Sequence, residues 1–328
     1  MIHTTNRRGF LAGAAALPAL AALPGAGARA QGAPRYGNLS MFIPAAPGGG
    51  WDGLGRAIEQ VARANGLVGS MQFENVGGAG GAVGLPRFVG QRRGRPDALM
   101  VAGAVMVGST ITNKSPVGVK DVTPIAKLTD EASVIVVPAN SDIKDIKGLM
   151  DALKAGPRAV SVGGGSAGGI DHILLGLLIK TVGGNAREAS YVGFAGGGPA
   201  QAAILGGQVK AGISGLSEFA EQIKAGRMRA LATTSEQRID PNIPTLKESG
   251  IDIVLGNWRG LFAPPGISQQ VRETHQRFAA DLHNLPAWKE LLKTREWDDA
   301  YVDGPAFEEF LKKDVESTTA VLKDIGLA

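Results

Sequence analysis

Four glycine-rich stretches constrain the fold of this chain more than any other feature of its sequence. They read PAAPGGGWDGLGRAI from Pro44, VGGAGGAVGLPRFV from Val76, GGGSAGGIDHILLGLL from Gly163 and GFAGGGPAQAAIL from Gly193. Each follows an apolar run typical of a β-strand and precedes a pattern typical of a helix. Glycine permits a sharp turn, and the helix that follows begins with unpaired N–H groups at its positive end. The sequence therefore predicts four anion-binding junctions, two early and two in mid-chain, which close as two lobes on one ligand.

Strand and helix patterns alternate from Leu39 to about Leu231, which predicts an α/β fold with parallel sheets. No low-complexity linker divides the chain, so we expect two lobes joined by crossing strands rather than domains in series. The predicted crossings lie near Ser133–Val137 and Val254–Phe262.

These crossings predict the extent of each lobe in the chain. Lobe one comprises residues 31–132 and 256–328, and lobe two comprises residues 133–255. Roughly 300 residues remain after removal of an export signal, enough for two separate hydrophobic cores. The last part of the chain reads as three helices, over residues 268–284, 286–294 and 305–325.

The first thirty residues have the pattern of an export signal. A basic start, the apolar run Phe10–Leu23 and the cleavage pattern Ala28-Arg29-Ala30 predict that residues 1–30 are removed. Arg7-Arg8 followed by Gly9-Phe10-Leu11 resembles a twin-arginine signal, with an ordinary Sec signal as the alternative. The apolar run is too short for a membrane anchor, so we expect a mature protein that is soluble in the periplasm.

Composition argues against several kinds of site. The chain has no cysteine, hence no disulfide, no lipidation cysteine and no thiolate metal ligand. The net charge of +4 falls to +1 on cleavage, because the signal contains three arginines and no other ionised side chain. The basic stretch RRGR at Arg92 is short and precedes Pro96, which favours a solvated turn over a nucleic-acid surface.

Two of the glycine junctions have the spacing of a dinucleotide-binding fingerprint. They are Gly48-x-Gly50-x-x-Gly53 and Gly163-x-Gly165-x-x-Gly168. A dinucleotide site also needs an acidic residue at the end of the next strand to hold the ribose. The first strand ends at Glu74-Asn75, a partial match, but the second ends at Val192-Gly193. We therefore predict no nicotinamide cofactor, and no other cofactor.

Gly164-Gly165-Ser166-Ala167-Gly168 matches the G-x-S-x-G pattern of a hydrolase nucleophile, between a strand and a helix as that motif requires. A triad histidine is expected later in the chain, where His275 and His283 both fall within a predicted helix. A secreted serine hydrolase using Ser166 is therefore the alternative function. The other interpretation of Ser166 is a helix N-cap whose hydroxyl faces the ligand.

Two acidic residues near the junctions have more than one interpretation. Asp171-His172 lies one turn into a helix, but the few histidines of the chain do not complete a metal site, so no metal is predicted. A ligand or core contact is the better interpretation of His172. Asp52 is either a first-turn acid that favours the helix dipole or a ligand contact.

Eight stretches, in order along the chain, carry a resemblance to a known family. The chain resembles substrate-binding proteins of the tripartite tricarboxylate transporter family (Bug or TctC type). The matching stretches are PGGGWDGLGRAI, FENVGGAGGAVG, DVTPIAKL, GGGSAGGIDHILLGLL, ILGGQVKAGISGLSEF, AGRMRALATTSEQR, IPTLKESGIDI and NWRGLFAPPGIS, from Pro47 to Ser268.

This resemblance implies a periplasmic two-lobed Venus-flytrap fold that delivers a solute to one large and one small membrane subunit. The ligands of the family are mostly organic acids, and one carboxylate is commonly held by the first two glycine loops through backbone N–H groups and water. We therefore predict a monomeric, non-enzymatic protein that binds a small di- or tricarboxylate. The predicted ligand-binding residues are Gly49, Gly50, Trp51, Asp52, Gly78, Ala79, Gly80, Gly81, Ala104, Gly165, Ser166, Ala167, Gly168, Asp171, His172, Phe194, Ala195, Gly196 and Ser214.

Overall fold

The computed structural model describes residues 34–328, and the predicted export signal, residues 1–30, lies outside this range. The described residues form eleven strands and ten α-helices. The strands are β1 (Asn38–Ile43), β2 (Ser70–Asn75), β3 (Ala98–Gly103), β4 (Thr123–Asp130), β5 (Ser133–Pro138), β6 (Ser161–Gly164), β7 (Ser190–Gly193), β8 (Ala211–Gly215), β9 (Met228–Thr233), β10 (Arg259–Ala263) and β11 (Asp298–Asp303). The helices are α1 (Gly50–Ala64), α2 (Gly84–Gln91), α3 (Ala104–Thr112), α4 (Ile146–Ala155), α5 (Ile170–Thr181), α6 (Gly197–Leu205), α7 (Leu216–Lys224), α8 (Gln269–His283), α9 (Pro286–Thr294) and α10 (Gly304–Asp324).

The strands form two sheets, which confirms the predicted α/β class. One sheet has six strands in the order β11-β4-β10-β3-β1-β2, and the other has five in the order β7-β6-β8-β5-β9. The prediction of parallel sheets is wrong for part of each sheet. β1, β2 and β3 pair in parallel, as do β6, β7 and β8, but β4, β5, β9, β10 and β11 make antiparallel pairs. The antiparallel strands are those next to the two crossings and the late strand β11.

The chain passes between the sheets twice. The first passage is Glu131–Ala132, between β4 and β5, and the second lies between β9 and β10. An isolated bridge pairs Ala132 with Gly256, so the two passages run side by side. The six-stranded sheet falls within the predicted lobe one and the five-stranded sheet within lobe two; we propose that division.

Each sheet has its own apolar core. Leu54, Ile58 and Val61 of α1 are buried against the six-stranded sheet, as their spacing predicts. The five-stranded sheet is covered on one face by α4 and α5 and on the other by α6 and α7. The helices cover faces of the sheets, whereas the glycine-rich ends of several strands remain uncovered at a shared edge.

Candidate functional site

All four glycine-rich junctions line one cavity of about 430 Å³ between the two sheets. Pro44 to Trp51 follow β1, and Gly78 to Gly80 follow β2. From the five-stranded sheet, Gly165 to Ala167 follow β6, Gly193 ends β7, and Phe194 to Gly197 follow it. The carboxyl ends of parallel strands meet at the edge of a sheet, which is where α/β proteins commonly bind ligands.

Two helices begin at the cavity wall with uncapped N-termini. Glycines occupy the N-cap positions of α1 and α6, namely Gly49 and Gly196, and no side chain caps either helix. Helix α7 also begins at the wall, after Gly215, but Ala132 O and Glu131 Oε1 accept from the N–H groups of Leu216 and Ser217 in its first turn. The first N–H groups of a helix have no intrahelical acceptor, and the helix dipole makes that end positive. The arrangement can therefore accept an anion from both sheets.

The turn after β2 has an unusual backbone. Gly78, Ala79, Gly80 and Gly81 all have positive φ, at 133°, 46°, 58° and 92°. For Ala79, this conformation is uncommon and costs free energy, a feature that clusters at ligand sites. A Cβ on Gly80 would lie 2.1 Å from the hydroxyl oxygen of Ser109, so packing as well as φ requires glycine there.

The loop Gly165–Ser166–Ala167 is held in place from behind by side chains. Asp171 Oδ2 accepts a hydrogen bond from the Gly165 N–H at 2.8 Å, and the Tyr191 hydroxyl donates to the Gly165 carbonyl at 2.7 Å. His172 stacks on Tyr191 with ring centroids 4.2 Å apart and accepts from the Gly168 N–H. The pKa of His172 is lowered to about 4 by burial, so the ring is neutral at pH 7.

Arg259, the first residue of β10, brings a cationic side chain to the cavity. Its guanidinium lies against the start of α1, since a Cβ on Gly50 would come within 2.8 Å of Nη2. Glu131 Oε2 accepts from the same nitrogen at 2.5 Å. The cation and the α1 N-terminus together make this part of the wall electropositive.

Two carboxyl groups line the cavity on the side of the five-stranded sheet. The pKa of Asp171 is raised to about 7, chiefly by burial and also by Glu218 and Glu131, although the Gly165 N–H and Arg259 act to lower it. Burial likewise raises the pKa of Glu218, which accepts from the Ser214 hydroxyl at 2.6 Å. The wall thus has an electropositive part and a part with two carboxyl groups.

The structure brings most of the predicted site residues together at the cavity. Those that line it are Gly49, Gly50, Trp51, Gly78, Ala79, Gly80, Gly165, Ser166, Ala167, Asp171, Phe194, Ala195, Gly196 and Ser214. Their contact with a ligand stays a prediction. Five predicted residues lie outside the lining: Asp52, Gly81, Ala104, Gly168 and His172.

Each of these five residues is next in sequence to a residue of the lining. Asp52 accepts from the Gly48 N–H and from Asn75 Nδ2, both at 3.0 Å, and so fixes the loop before α1. Burial alone would raise the pKa of Asp52, but these bonds and Arg56 lower it overall. Ala104 begins α3, and a Cβ on Gly81 or Gly168 would clash with Met106 or Thr112 respectively.

The sequence analysis missed several residues of the lining. They are Pro44, Ala45, Ala46, Val105, Gly193, Gly197, Gly215, Glu218, Asn257 and Arg259. A signal existed for two of them. Arg259 begins an otherwise apolar strand, and Glu218 is an acidic residue in the first turn of the helix that follows Ser214.

The surroundings of Ser166 do not assemble a catalytic triad in residues 34–328. No hydrogen bond joins its hydroxyl to a histidine in that range. His275 is buried within α8, and His283 bonds Asp299 and Lys289 near β11. Over the same range, no helix is both long and apolar enough to cross a membrane.

Known proteins resemble this chain both in sequence and in structure. A protein of Cupriavidus necator, "UPF0065 protein in gbd 5'region", is 30% identical, covering 99% of this chain and 98% of its own. The structure of the periplasmic binding protein BugD matches with a TM-score of 0.78 at 24% identity, covering 89% of this chain and 98% of BugD.

Two further structures share this fold. MatC from Rhodopseudomonas palustris, solved with bound malate, matches with a TM-score of 0.76 at 20% identity, covering 87% of this chain and 99% of its own. An R. palustris protein with adipate matches with a TM-score of 0.79 at 18% identity, covering 88% and 97%. The two sheets thus form the two-lobed fold of periplasmic binding proteins, as predicted.

The family described as "Tripartite tricarboxylate transporter family receptor" matches residues 57–327, most of the chain. This match spans both sheets and three of the four glycine junctions. The chain therefore belongs to the tripartite tricarboxylate transporter receptor family, the TctC-type solute-binding proteins.

Proposed function

We propose that this protein binds a small di- or tricarboxylate in the cavity between its lobes and releases it unchanged. The observation that carries this proposal is the convergence of two uncapped helix N-termini, those of α1 and α6, and Arg259 on one cavity. Backbone N–H donors and a guanidinium are the groups that bind carboxylates in proteins. Malate in MatC and adipate in the second R. palustris protein support a carboxylate as the ligand here.

The protein acts in the periplasm, after removal of residues 1–30, as a monomer that delivers its ligand to a large and a small membrane subunit. Membership of the receptor family supports delivery to a transporter of this kind. The fold supports capture by closure of two lobes, since both sheets contribute donors to the same cavity.

A thermal-shift screen across organic acids tests the proposal. A ligand that binds only the folded state at a hundred times its dissociation constant stabilises that state by about 2.7 kcal/mol. We expect a concentration-dependent rise in melting temperature with at least one di- or tricarboxylate. Sodium chloride at matched ionic strength is the control, because nonspecific screening would raise the melting temperature with both.

A labelling experiment separates binding from hydrolysis. We expect a fluorophosphonate probe to leave Ser166 unmodified, and the acid recovered after incubation to be chemically unchanged. Covalent labelling at Ser166, lost in Ser166→Ala together with esterase activity, would favour the hydrolase instead.

A further inference from the structure

The cavity is not uniformly suited to anions. Arg259 and the start of α1 lie on the side of the six-stranded sheet. Asp171 in α5 and Glu218 in α7 line the cavity from the side of the five-stranded sheet. A ligand that fills the cavity therefore meets a guanidinium and helix N-termini together with two carboxyl groups, and Glu218 lies near both Arg259 and Gly197 at the start of α6.

The single guanidinium does not neutralise these two carboxyl groups. Arg259 already forms an ion pair with Glu131 at 2.5 Å. Within residues 34–328, neither Asp171 nor Glu218 forms a salt bridge of its own. Asp171 accepts from the Gly165 N–H, and Glu218 from Ser214 and the backbone at Gly215.

Both carboxyl groups retain unused capacity to accept hydrogen bonds. An ionised carboxylate has about four lone-pair sites, and the bonds named above occupy one at Asp171 and two at Glu218. Burial makes the charged form of each group costly unless further donors reach it, as their raised pKa values indicate. A carboxylate of the ligand placed beside them would add like-charge repulsion, whereas a hydroxyl or ammonium group would supply the missing donor.

We propose that the ligand is a carboxylate that also has a hydroxyl or ammonium donor, and that Asp171 and Glu218 accept from that donor. The ligand's carboxylate lies at the α1 N-terminus beside Arg259. This inference rests on the proposed function, because it specifies which carboxylic acids the same cavity selects. A site built to accept a donor rejects analogues that lack it, since the buried acceptors are then left unpaired.

Matched acids test the inference on the wild-type protein. Succinate, malate and aspartate share one carbon skeleton and differ in having no donor, a hydroxyl or an ammonium group; tricarballylate and citrate make a second matched pair. In calorimetric titrations at pH 8, we expect a donor-bearing acid to bind at least about tenfold more tightly than its donor-free partner. Malate against aspartate distinguishes the hydroxyl from the ammonium group.

The outcomes separate this inference from the proposed function. If the donor-free acids bind as tightly as their partners, the inference is overturned and the proposed function stands. If no carboxylate in these series or in the wider screen binds, both are overturned.

The same titrations at pH 5.5 test the alternative that Asp171 and Glu218 are protonated and donate hydrogen bonds to the ligand. Asp171 faces Glu218, Glu131, Arg259 and Tyr191, and Glu218 faces Arg259 and Glu131. If these acids were protonated and donated to the ligand's carboxylate, succinate would bind as tightly as malate at pH 5.5 and take up protons on binding. Asp171, whose pKa is raised to about 7, is protonated at pH 5.5 but keeps an oxygen that only accepts. We therefore expect malate or aspartate to remain preferred over succinate, by less than at pH 8, and succinate bound as tightly as malate would overturn the inference.

Substitution of Asp171 and of Glu218 tests whether these two carboxyl groups cause the preference for donor-bearing acids. Glu218→Gln and Asp171→Asn keep the shape and one acceptor oxygen but remove the charge. We expect each to reduce the preference to about threefold or less, with the affinity for donor-free acids unchanged or raised. Glu221→Gln is the matched control, since Glu221 is exposed on the same helix and outside the cavity lining. An unchanged preference in both folded variants, judged by circular dichroism, would contradict the assignment.

Discussion

Arg259 and Glu131 form a buried ion pair in the wall of the cavity. Nη2 and Oε2 lie 2.5 Å apart, and the two side chains are 3% and 1% exposed. Glu131 also accepts from the Ser217 N–H at 3.0 Å. Arg259 belongs to the six-stranded sheet and Ser217 to α7 on the five-stranded sheet, so Glu131 connects the two lobes at the first crossing.

Removal of one member of this pair should destabilise the protein strongly. Glu131→Gln keeps the shape but leaves the Arg259 charge buried without its counter-ion. We expect the free energy of unfolding to fall by about 3–5 kcal/mol, measured by urea denaturation. Glu59→Gln removes a carboxylate from an exposed pair with Arg63 and should cost about 1 kcal/mol or less. Equal losses in the two variants would contradict the role assigned to Glu131.

Replacement of both partners separates stability from binding. Arg259→Met combined with Glu131→Leu removes both charges, and an apolar pair of similar volume is often as stable as the buried ion pair. We expect the double variant to regain most of the stability lost in Glu131→Gln but not to bind the carboxylate that stabilises the wild type. A double variant with wild-type affinity would show that Arg259 serves the fold alone.

The buried carboxyl group of Asp171 predicts a pH-dependent contribution to stability. Burial raises its pKa in the folded state to about 7, from 3.8. The folded state therefore holds a proton that the unfolded chain releases, so this stability is fully present below about pH 4 and is lost as the pH rises through 7. Since one pKa unit corresponds to about 1.4 kcal/mol, Asp171→Asn should gain stability relative to wild type between pH 4 and 8, by at most about 4 kcal/mol.

The comparison must be made as a difference between variant and wild type. Burial lowers the pKa of His172 and of His275 to about 4, which gives a dependence of opposite sign: stability present above pH 6.5 and lost as the pH falls towards 4. These contributions cancel in the difference. A difference in stability between Asp171→Asn and the wild type that does not change with pH would refute the assignment.

Tyr191 should affect binding through the loop that it holds. Its hydroxyl donates to the Gly165 carbonyl at 2.7 Å, so Tyr191→Phe leaves that acceptor without its partner. We expect a loss of about 1 kcal/mol in stability and a several-fold weaker affinity for the ligand, measured by denaturation and calorimetry. Tyr36→Phe also removes a hydroxyl bond, a partly buried one to Asp281, but Tyr36 lies outside the cavity lining. It should lower stability without changing affinity, and equal effects of both variants on affinity would contradict the prediction.

The local sequence pattern predicted the α/β class and the glycine junctions because both depend on neighbouring residues. The apolar stripe of α1 and the glycines after β1 are signals contained within single elements. The strand ends were less predictable where glycine continues a strand. The apolar run Ala159–Val162 precedes the third glycine junction, but β6 is Ser161–Gly164, because Gly163 and Gly164 remain paired with β7. The strands β4 and β11 were missed, and both lie beside the crossing segments in antiparallel pairs.

The charged part of the wall depends on residues that are far apart in the sequence. Arg259 and Glu131 are 128 residues apart, and no local pattern shows that they meet. The local signals for Asp52 were likewise ambiguous, since only the bonds from Gly48 and Asn75 show that it supports the loop before α1. Long-range pairs of this kind require the strand order of the assembled sheets.

Gly49 provides the most direct test of anion binding at the start of α1. It is the N-cap of α1, has an ordinary extended backbone and lines the cavity. A Cβ there would approach nothing closer than the Ala46 carbonyl at 3.8 Å, so Gly49→Val should fold while its side chain blocks access to the helix N-terminus. Gly53→Val adds the same volume within the same helix, where a Cβ meets nothing within 4 Å, and is the matched control.

Calorimetric titration of these two variants and the wild type with the carboxylate found in the screen tests the central claim. We predict one ligand per wild-type molecule, affinity in Gly53→Val within about threefold of wild type, and at least about a hundredfold loss in Gly49→Val, because a blocked carboxylate loses several charge-assisted bonds. A Gly49→Val protein that binds the acid as tightly as the wild type would contradict recognition by the helix N-terminus at this cavity.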